Sequence, residues 1–358
     1  MRRQRFRLPD GGRVDRAAEV AFSFNGRRYF GHKGDTLASA LLANGVHLVG
    51  RSFKYHRPRG IFGSGSEEPN ALVQLGAGPR TDPNMRATTV ELFEGLRATS
   101  QNCWPSLRFD LRGINDRFSA LLPAGFYYKT FMRPARLWMF YEKHIRKAAG
   151  LGRAPDGCDP DRYEQTHAHC DVLVIGAGPA GLAAAQAAGA AGARVILADE
   201  QAELGGSLLS EPGRHIQVGD GTPADWLGAT LAGLAGMDEV TLLPRTTAFG
   251  YYADNFVGLL ERVGDHLPGD DGMLRQRLWK VRAKQVILAT GAIERSLVFA
   301  ENDRPGIMLA GAARTYVNRY GVAPGSRTVV FTNNDSAYAA ALDMAAAGIG
   351  VEAVVDLR

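Results

Sequence analysis

The sequence predicts an α/β fold whose parallel sheet leads into a glycine-rich turn, and three observations support this prediction. An apolar run at 171–175 is followed directly by Gly-Ala-Gly-Pro-Ala-Gly at 176–181. An alanine-rich stretch at 182–191 has the composition of a helix, and a second apolar run at 194–198 ends in an acidic pair. Strand, turn, helix, strand and carboxylate thus occur in the order of a dinucleotide-binding fingerprint.

The glycines of this turn have separate roles. Gly176 permits the tight turn, Gly178 lets a pyrophosphate approach the backbone, and Gly181 lets the helix pack against the strand. The helix start at Pro179–Ala180 offers free N–H groups and the positive end of the helix dipole to phosphates. Glu200 follows at roughly the 20-residue spacing of a carboxylate that binds a ribose 2′-hydroxyl, and it would repel the 2′-phosphate of NADP. A glycine-rich turn without a ligand is the alternative.

Composition narrows the class of protein. The chain has 358 residues and a formal net charge of +5, with much of the basic excess before residue 150. No nucleic-acid-binding motif accompanies this charge, so a solvated surface or a face for an acidic partner subunit is favoured over nucleic acid. The three cysteines, Cys103, Cys158 and Cys170, are odd in number and scattered, which argues against a disulfide framework.

Neither a membrane span nor a secretion signal is expected. No stretch supplies the roughly 20 strongly apolar residues that cross a bilayer. The basic segment at 1–7 has no apolar region behind it, unlike a signal peptide. We therefore expect a cytoplasmic protein without membrane contact.

The chain is expected to begin with a flexible basic arm at 1–18 and a small α+β module at 19–105. Within the module, Asn25-Gly26 predicts a hairpin turn between two strands, and Gly34-Asp35-Thr36 predicts the N-cap of a helix at 37–44. A further strand is expected at 72–75.

A segment rich in aromatic residues and arginine, 106–165, connects this module to the fingerprint and ends in a Gly/Pro/Asp-rich linker at 150–161. We expect its aromatic side chains to pack on neighbouring domains. The dinucleotide-binding domain then spans 166–325 and contains an inserted small antiparallel sheet. That sheet is predicted at 240–243, 256–260 and 278–281, after a helix at 225–234 and before a strand at 285–291.

Residues 326–358 predict the start of a second nucleotide-binding-like unit, with a strand at 328–331, a helix at 336–347 and a strand at 351–355. Its turn has Thr332 and Asn334 where glycines would be needed. Their side chains would obstruct a phosphate, so we expect this second site to be empty.

The remaining sequence features predict neither a metal site nor a catalytic side chain. His167, His169 and Cys170 can share a strand face only in part, and no fourth ligand is near in sequence. The basic cluster at 54–59 could lie near a cofactor phosphate or a partner carboxylate, or form a solvated loop. No general base, nucleophile or Cys-x-x-Cys pair is evident, so disulfide-reductase chemistry is disfavoured.

The glycine turn, Glu200, Gly205-Gly206 and Ala289-Thr290-Gly291 together resemble the two-dinucleotide-binding-domain oxidoreductases, including the thioredoxin reductase group. The resemblance implies a Rossmann-like fold whose second domain is incomplete here. It also implies that the later glycine turns help to cover the dinucleotide. The candidate cofactor-binding residues are Gly176, Gly178, Pro179, Ala180, Gly181, Asp199, Glu200, Gln201, Gly205, Gly206, Ser207, Thr290 and Gly291.

The first module, through the tracts 57–62, 72–73 and 83–86, resembles a [2Fe–2S] ferredoxin-like domain of amine-oxidising complexes. In that family the cluster cysteines would lie near Gly63, Glu68, Ala71 and Ala87. None of these positions carries sulfur. A Cys₄ cluster is therefore not expected, and the module is predicted to be a ferredoxin-like domain lacking the cluster.

The tracts 51–60, 101–106, 123–131 and 162–166 resemble the α subunit of heterotetrameric sarcosine oxidases. The resemblance implies oxidation of the N-methyl group of sarcosine, which yields glycine and hydrogen peroxide and passes the one-carbon unit to tetrahydrofolate. It implies partner β, γ and δ subunits, FAD on β, FMN attached to β at the α–β interface, and NAD on α.

This resemblance implies that the fingerprint binds NAD, although the Glu200 carboxylate could equally accept a hydrogen bond from the ribose 2′-hydroxyl of FAD. Family α subunits continue well beyond residue 358 into a folate domain, so the chain is expected to be an N-terminal portion with lowered stability, exposed apolar surface and catalysis left to its partners. Alternatives are a subunit of a related opine or cyanide-forming amine oxidase, a self-contained FAD-dependent pyridine nucleotide oxidoreductase, or an assembly module with structural NAD.

Overall fold

The computed structural model describes residues 4–121, 125, 133–148, 150–214, 216–269 and 272–358. Most of the tract 123–131, on which part of the resemblance rests, lies outside these residues. None of the helices described is long and apolar enough to cross a bilayer.

The first domain contains a five-stranded mixed sheet in the order β2-β1-β7-β5-β6 and a helix, α1. Its elements are β1 (Asp15–Phe24), β2 (Arg27–Lys33), α1 (Leu37–Ala43), β5 (Leu72–Leu75), β6 (Asp82–Arg86) and β7 (Arg97–Ser100), with a separate pair β3 (Gly50–Arg51) and β4 (Pro58–Arg59). All residues of α1 are buried, so this helix forms the centre of the domain core.

Local sequence signals of this domain are confirmed. Asn25 and Gly26 both have positive φ, at 50° and 76°, as a two-residue hairpin turn between β1 and β2 requires. The Thr36 hydroxyl accepts the Ser39 N–H while the Ser39 hydroxyl accepts the Thr36 N–H, which forms a capping box at the start of α1. The strand predicted at 72–75 is β5.

The segment predicted as a flexible arm, 1–18, is held to the rest of the chain by hydrogen bonds and an ion pair where the structure describes it. The Phe6 N–H donates to the Ala43 carbonyl at 3.0 Å, the Leu8 N–H donates to Gly321 at 2.9 Å, and the Arg7 guanidinium pairs with the buried Asp35. Strand β1 begins at Asp15. Charge density suggested a solvated segment, but the arginine has a buried partner 28 residues away that sequence reasoning does not reveal.

The connecting segment has one described α-helix, α2 (Trp138–Ala148). Its Phe140 is 61% exposed and does not pack on a neighbouring domain as predicted for the aromatic residues, whereas Trp138 and Tyr141 are half-buried. The helix lies at the surface and carries Phe140 outward. The aromatic tract at 126–128 lies outside the described residues.

The second domain is built on a six-stranded sheet in the order β10-β9-β8-β13-β12-β11. Its elements are β8 (Arg162–Ile175), α3 (Pro179–Ala190), β9 (Val195–Ala198), α4 (Pro223–Ala235), β10 (Val240–Leu243), β11 (Thr246–Tyr252), β12 (Phe256–Arg262) and β13 (Leu274–Leu288). Strands β10, β9, β8 and β13 are parallel, whereas β12 and β11 are antiparallel. The parallel half carries the glycine-rich turn, as the fingerprint predicts.

Two strand assignments were wrong. Strand β10 belongs to the parallel half and pairs with β9, not with the antiparallel sheet, because α4 carries the chain back to the sheet edge in a crossover. The strands predicted at 278–281 and 285–291 are one strand, β13, which pairs with β8 along almost its whole length. A polar stretch, Arg282–Gln285, interrupts the apolar pattern but not the hydrogen-bonded ladder.

The last unit comprises α5 (Ala310–Asn318), β14 (Arg327–Thr332), α6 (Ser336–Ala346) and β15 (Gly350–Asp356), with β14 and β15 parallel. Helix α5 faces two cores: Tyr316 packs in the core of the first domain, whereas Val317 packs against α6. The fully buried carboxylate of Asp343 on α6 accepts hydrogen bonds from Arg214, Arg314 and Asn318 at 2.5–2.6 Å. This network joins α6 to α5.

Candidate functional site

The glycine-rich turn connects β8 to α3, and its three fingerprint glycines have different surroundings. Gly176 has φ +100°, and a Cβ there would collide with the Ala289 carbonyl. A Cβ at Gly181 would collide with the Gly176 carbonyl oxygen. A Cβ at Gly178, in contrast, would have no atom within 4 Å. Gly176 and Gly181 are therefore required by packing, whereas Gly178 leaves open space in front of the turn.

This open space adjoins the N-terminus of α3. Gly178 is the N-cap, no side chain caps this end, and Pro179 occupies the first turn. The N–H groups of the first turn thus remain available to an anion, and the helix dipole favours one. A Cβ at position 178 would fill this open space, and glycine leaves it free. The residues present therefore fit the pyrophosphate of a dinucleotide.

The sequence spacing favoured Glu200 as the carboxylate near the glycine-rich turn, but in the structure Asp199 is the residue that contacts it. The Asp199 carboxylate accepts the Ala177 N–H at 2.7 Å and the Gln201 N–H at 2.8 Å. Asp199 therefore touches the glycine-rich turn directly. Glu200, which the spacing favoured, is the next residue, and its carbonyl accepts a hydrogen bond from Arg262 at 2.6 Å. Both carboxylates remain candidates for the ribose, and Asp199 is the one in contact with the turn.

Arginines that sequence reasoning missed hold the loop after β9. The Arg262 guanidinium donates to the Glu200 carbonyl and, at 2.9 Å, to the Thr89 carbonyl of the first domain. The Arg319 side chain donates to Gln201. Each guanidinium reaches a residue more than 60 positions away or in another domain, so no local motif could have revealed these contacts.

The later glycine turn lies against the glycine-rich turn of the fingerprint. The Gly205 N–H donates to the Ala177 carbonyl at 2.9 Å. A Cβ at Gly206, whose φ is +54°, would lie 2.7 Å from the Gly178 Cα. Ser207 follows in a short 3₁₀ helix, 206–210. This turn therefore forms one wall beside the open space.

The segment after β13 also lies beside the glycine-rich turn of the fingerprint. The Ala289 N–H donates to the Ile175 carbonyl at 2.8 Å, so Thr290 and Gly291 follow beside Gly176. Further along, Glu294 accepts the Ala310 and Gly311 N–H groups at 3.0 and 2.8 Å, at the start of α5. Between these points Ile293 is 74% exposed.

The turn of the last unit is closed by its own side chains. The buried Thr332 hydroxyl donates to the Asn334 carbonyl at 2.9 Å and accepts the Asn334 N–H at 3.1 Å. The Asn334 side chain accepts the Ser336 N–H at 3.0 Å. That this second turn holds no nucleotide stays a prediction, and these contacts favour it.

The smaller sequence signals have structural explanations. His167 and His169 lie on β8 and are exposed, whereas Cys170 is buried, which raises the pKa of its thiol to about 11. Among the described residues no group of three metal-binding side chains occurs. In the basic cluster, Arg57 and Arg59 both pair with Asp303. These two arginines therefore join the first domain to the segment between β13 and α5.

A cavity of about 1260 Å³ lies elsewhere, against the first domain. It is lined by cations that include Arg5, Arg108 and Arg153, and none of its lining residues belongs to the glycine-rich turn. The glycine-rich turn therefore lies outside this cavity.

Comparisons with known proteins agree with this architecture. A family model described as a 2Fe-2S iron-sulfur cluster binding domain matches residues 17–103, and one described as an FAD dependent oxidoreductase matches residues 171–219. The chain is 56% identical over 355 residues to the sarcosine oxidase alpha subunit of Rhizobium meliloti (strain 1021), covering 99% of this chain and 36% of the relative. It is 44% identical over 362 residues to that of Corynebacterium sp. (strain P-1), covering 99% and 32%.

By sequence, the chain is a relative of the sarcosine oxidase alpha subunits, and the predicted resemblance is confirmed. It spans about a third of the length of these relatives. Similarity to an opine oxidase subunit of Agrobacterium tumefaciens (strain Ach5) is lower, at 34% over 193 residues, covering 52% of this chain and 36% of the relative.

Among solved structures, L-proline dehydrogenase from P. horikoshii superimposes with a TM-score of 0.64 at 21% identity, covering 98% of this chain and 55% of that one. At this identity the likeness shows the fold alone. An N-terminal domain of the iron–sulfur-binding type, followed by a Rossmann-like oxidoreductase domain of the FAD-dependent type, is thus established for this chain.

Proposed function

We propose that the chain is the NAD-binding part of the α subunit of a heterotetrameric sarcosine oxidase. The complex would oxidatively demethylate sarcosine to glycine, with formation of hydrogen peroxide and transfer of the one-carbon unit to tetrahydrofolate. The 56% identity to a sarcosine oxidase alpha subunit over 99% of the chain supports this proposal over the opine oxidase alternative, whose relatives match only about half of it.

The single observation that carries the cofactor proposal is the open space at Gly178, beside an uncapped helix N-terminus. When bound, NAD would supply a nicotinamide able to accept or donate a hydride, or would serve as a structural ligand. The chain's own residues would bind and orient it. The first-turn N–H groups would hold the pyrophosphate, and Asp199 or Glu200 would hold the adenosine ribose and repel a 2′-phosphate.

We assign amine oxidation to partner subunits. The candidate site contains backbone N–H groups and carboxylates but no general base paired with a nucleophile among its described residues. The proposed β, γ and δ partners would complete the complex, with FAD and FMN held mainly by β, and tetrahydrofolate bound outside this chain. We expect the complex to be cytoplasmic.

Mass spectrometry of the small molecules released on denaturing the purified chain, together with its visible absorption spectrum, tests the cofactor proposal. The proposal expects NAD and no flavin band. A peroxide assay with sarcosine tests the division of labour, since turnover by the chain alone would show that it is catalytic by itself.

FAD on this chain is the second candidate, because residues 171–219 match a model of FAD dependent oxidoreductases. The turn accommodates the pyrophosphate of either dinucleotide, and both have a free ribose 2′-hydroxyl. Release of FAD would favour a self-contained flavoprotein.

A further inference from the structure

A loop of the first domain, 62–71, contains three of the four positions at which the ferredoxin-like resemblance implies cysteines, and the fourth, Ala87, is hydrogen-bonded to it. The Ala87 N–H donates to the Ala71 carbonyl at 2.9 Å, and Ala71 and Ala87 are both fully buried. Gly63 and Glu68, the other two positions, are joined by a hydrogen bond of 2.6 Å. Hydrogen bonds thus join these four positions, none of which offers a thiolate.

The Glu68 carboxylate occupies the centre of this loop. Its Oε2 accepts the N–H groups of Phe62 and Gly63 at 2.7 and 2.6 Å, and its Oε1 accepts those of Asn70 and Ala71 at 2.7 and 2.9 Å. Glu68 is only 1% exposed. One buried carboxylate therefore receives four backbone N–H groups from both ends of the loop.

Such an arrangement suits an anion. A buried carboxylate is costly unless hydrogen bonds compensate its lost hydration, and here each oxygen has two donors. Burial raises the pKa of Glu68, while the four N–H donors oppose that change. In iron–sulfur domains, hydrogen bonds are likewise directed at the cluster sulfurs. Without thiolates, and with Glu68 among the donors, the residues present do not fit a cluster.

The loop shape maintained by Glu68 also forms a contact between domains. The Tyr316 hydroxyl on α5 donates to the Gly63 carbonyl at 2.8 Å, and the Leu309 N–H donates to the Phe62 carbonyl at 2.9 Å. The N–H groups of Phe62 and Gly63 thus bind Glu68 while their carbonyls bind the region around α5. Loosening the loop would therefore weaken the docking of α5.

We propose that the Glu68 carboxylate takes the structural place of the iron–sulfur cluster. It supplies the buried negative charge toward which the loop N–H groups point, and it holds the loop in the shape that docks against α5. This inference rests on the proposal that the domain lacks its cluster, and iron analysis of the purified chain tests that part separately. It does not depend on which dinucleotide or amine the complex uses.

The test compares Glu68→Ala and Glu68→Gln with a control, Glu94→Gln. Glu94 is exposed and accepts one backbone N–H, from Ala21, at 2.7 Å. Hydrogen exchange at the amides of 62–63 and 70–71 is expected to rise about tenfold or more in both Glu68 variants, because each lost bond involves a charged acceptor. Glu94→Gln is expected to leave those amides unchanged.

The response of the melting temperature and of amide exchange to added formate distinguishes a lost carboxylate from a general loss of packing. Glu68→Ala removes the carboxylate but leaves the four donors, so added formate is expected to raise its melting temperature and restore slow exchange. Glu68→Gln fills the same space and presents N–H groups toward the donors, so formate is expected to have no such effect. If Glu68→Ala fails to fold, refolding in the presence and absence of formate makes the same comparison.

Three results would overturn the inference. The first is a Glu68→Gln variant that exchanges and melts like the unmodified chain. The second is a formate effect of equal size in all three variants. The third is bound iron and sulfide in the purified unmodified chain, which would mean that Glu68 does not replace a cluster.

Discussion

Replacing Gly178 by alanine separates binding from folding at the proposed dinucleotide site. The backbone there has φ −73° and ψ −178°, which alanine adopts without strain, and the added methyl group would meet no protein atom within 4 Å. The same change at Gly181 would drive a Cβ into the Gly176 carbonyl. Only Gly178→Ala therefore tests the ligand rather than the fold.

The expected magnitudes follow from this geometry. Without ligand, Gly178→Ala should change the free energy of unfolding by less than about 1 kcal/mol, because the lower entropy of the unfolded chain offsets the loss of a preferred N-cap residue. A pyrophosphate that must yield to an extra methyl group pays an overpacking cost of about 1–3 kcal/mol. Dinucleotide affinity should therefore fall roughly 5- to 150-fold.

Isothermal titration with NAD, together with urea unfolding, measures both quantities. Gly228→Ala is the matched control, since Gly228 is exposed on α4 and an added Cβ would have no neighbour within 4 Å. The control should gain up to about 1 kcal/mol in stability, because alanine is favoured inside a helix, and should lose no affinity. Unchanged affinity in Gly178→Ala would refute the assignment of the pyrophosphate to this turn.

Three further outcomes are expected. Asp343→Ala should lower the free energy of unfolding by about 1–3 kcal/mol in a denaturant titration, because Arg314 and Asn318 lose a buried acceptor although Arg314 keeps its pair with Glu211; an effect below about 0.5 kcal/mol would contradict the role of this network. Arg262→Ala should weaken dinucleotide binding about tenfold in the same titration, since the guanidinium holds the loop after β9, whereas unchanged affinity would remove Arg262 from the site. Burial, and to a lesser extent the charge of Arg5, lowers the pKa of His47 below 6.5, so folding favours the neutral ring and stability should fall as the pH drops from about 6.5 to the lowered pKa, and no further below it; urea titrations of His47→Gln should show a shallower pH dependence in that range, and an unchanged slope would contradict this.

The glycine-rich turn could be predicted in detail because its chemistry is local. Gly176, Gly178 and Gly181 have the separate environments that their spacing requires, and the capping box at Thr36 follows from four consecutive residues. The hairpin at Asn25-Gly26 is equally local. In each case a backbone conformation or a close approach depends on residues that are neighbours in sequence.

Long-range pairing could not be predicted in the same way. An apolar run such as β10 has no sequence feature that distinguishes a parallel partner from an antiparallel one. Helix α5 lies more than 200 residues after the loop whose Gly63 carbonyl it contacts. The four N–H groups around Glu68 converge only after folding, so the sequence shows the missing cysteines but not the carboxylate among the loop N–H groups.

Native mass spectrometry of the purified chain with equal concentrations of NAD, NADP and FAD tests the central claim most directly. The open space at Gly178 and the carboxylates of Asp199 and Glu200 lead us to expect an NAD adduct, with NADP rejected. Gly178→Ala should lose that adduct while Gly228→Ala retains it. An FAD adduct formed in preference to NAD, or NAD binding that survives Gly178→Ala, would contradict the account.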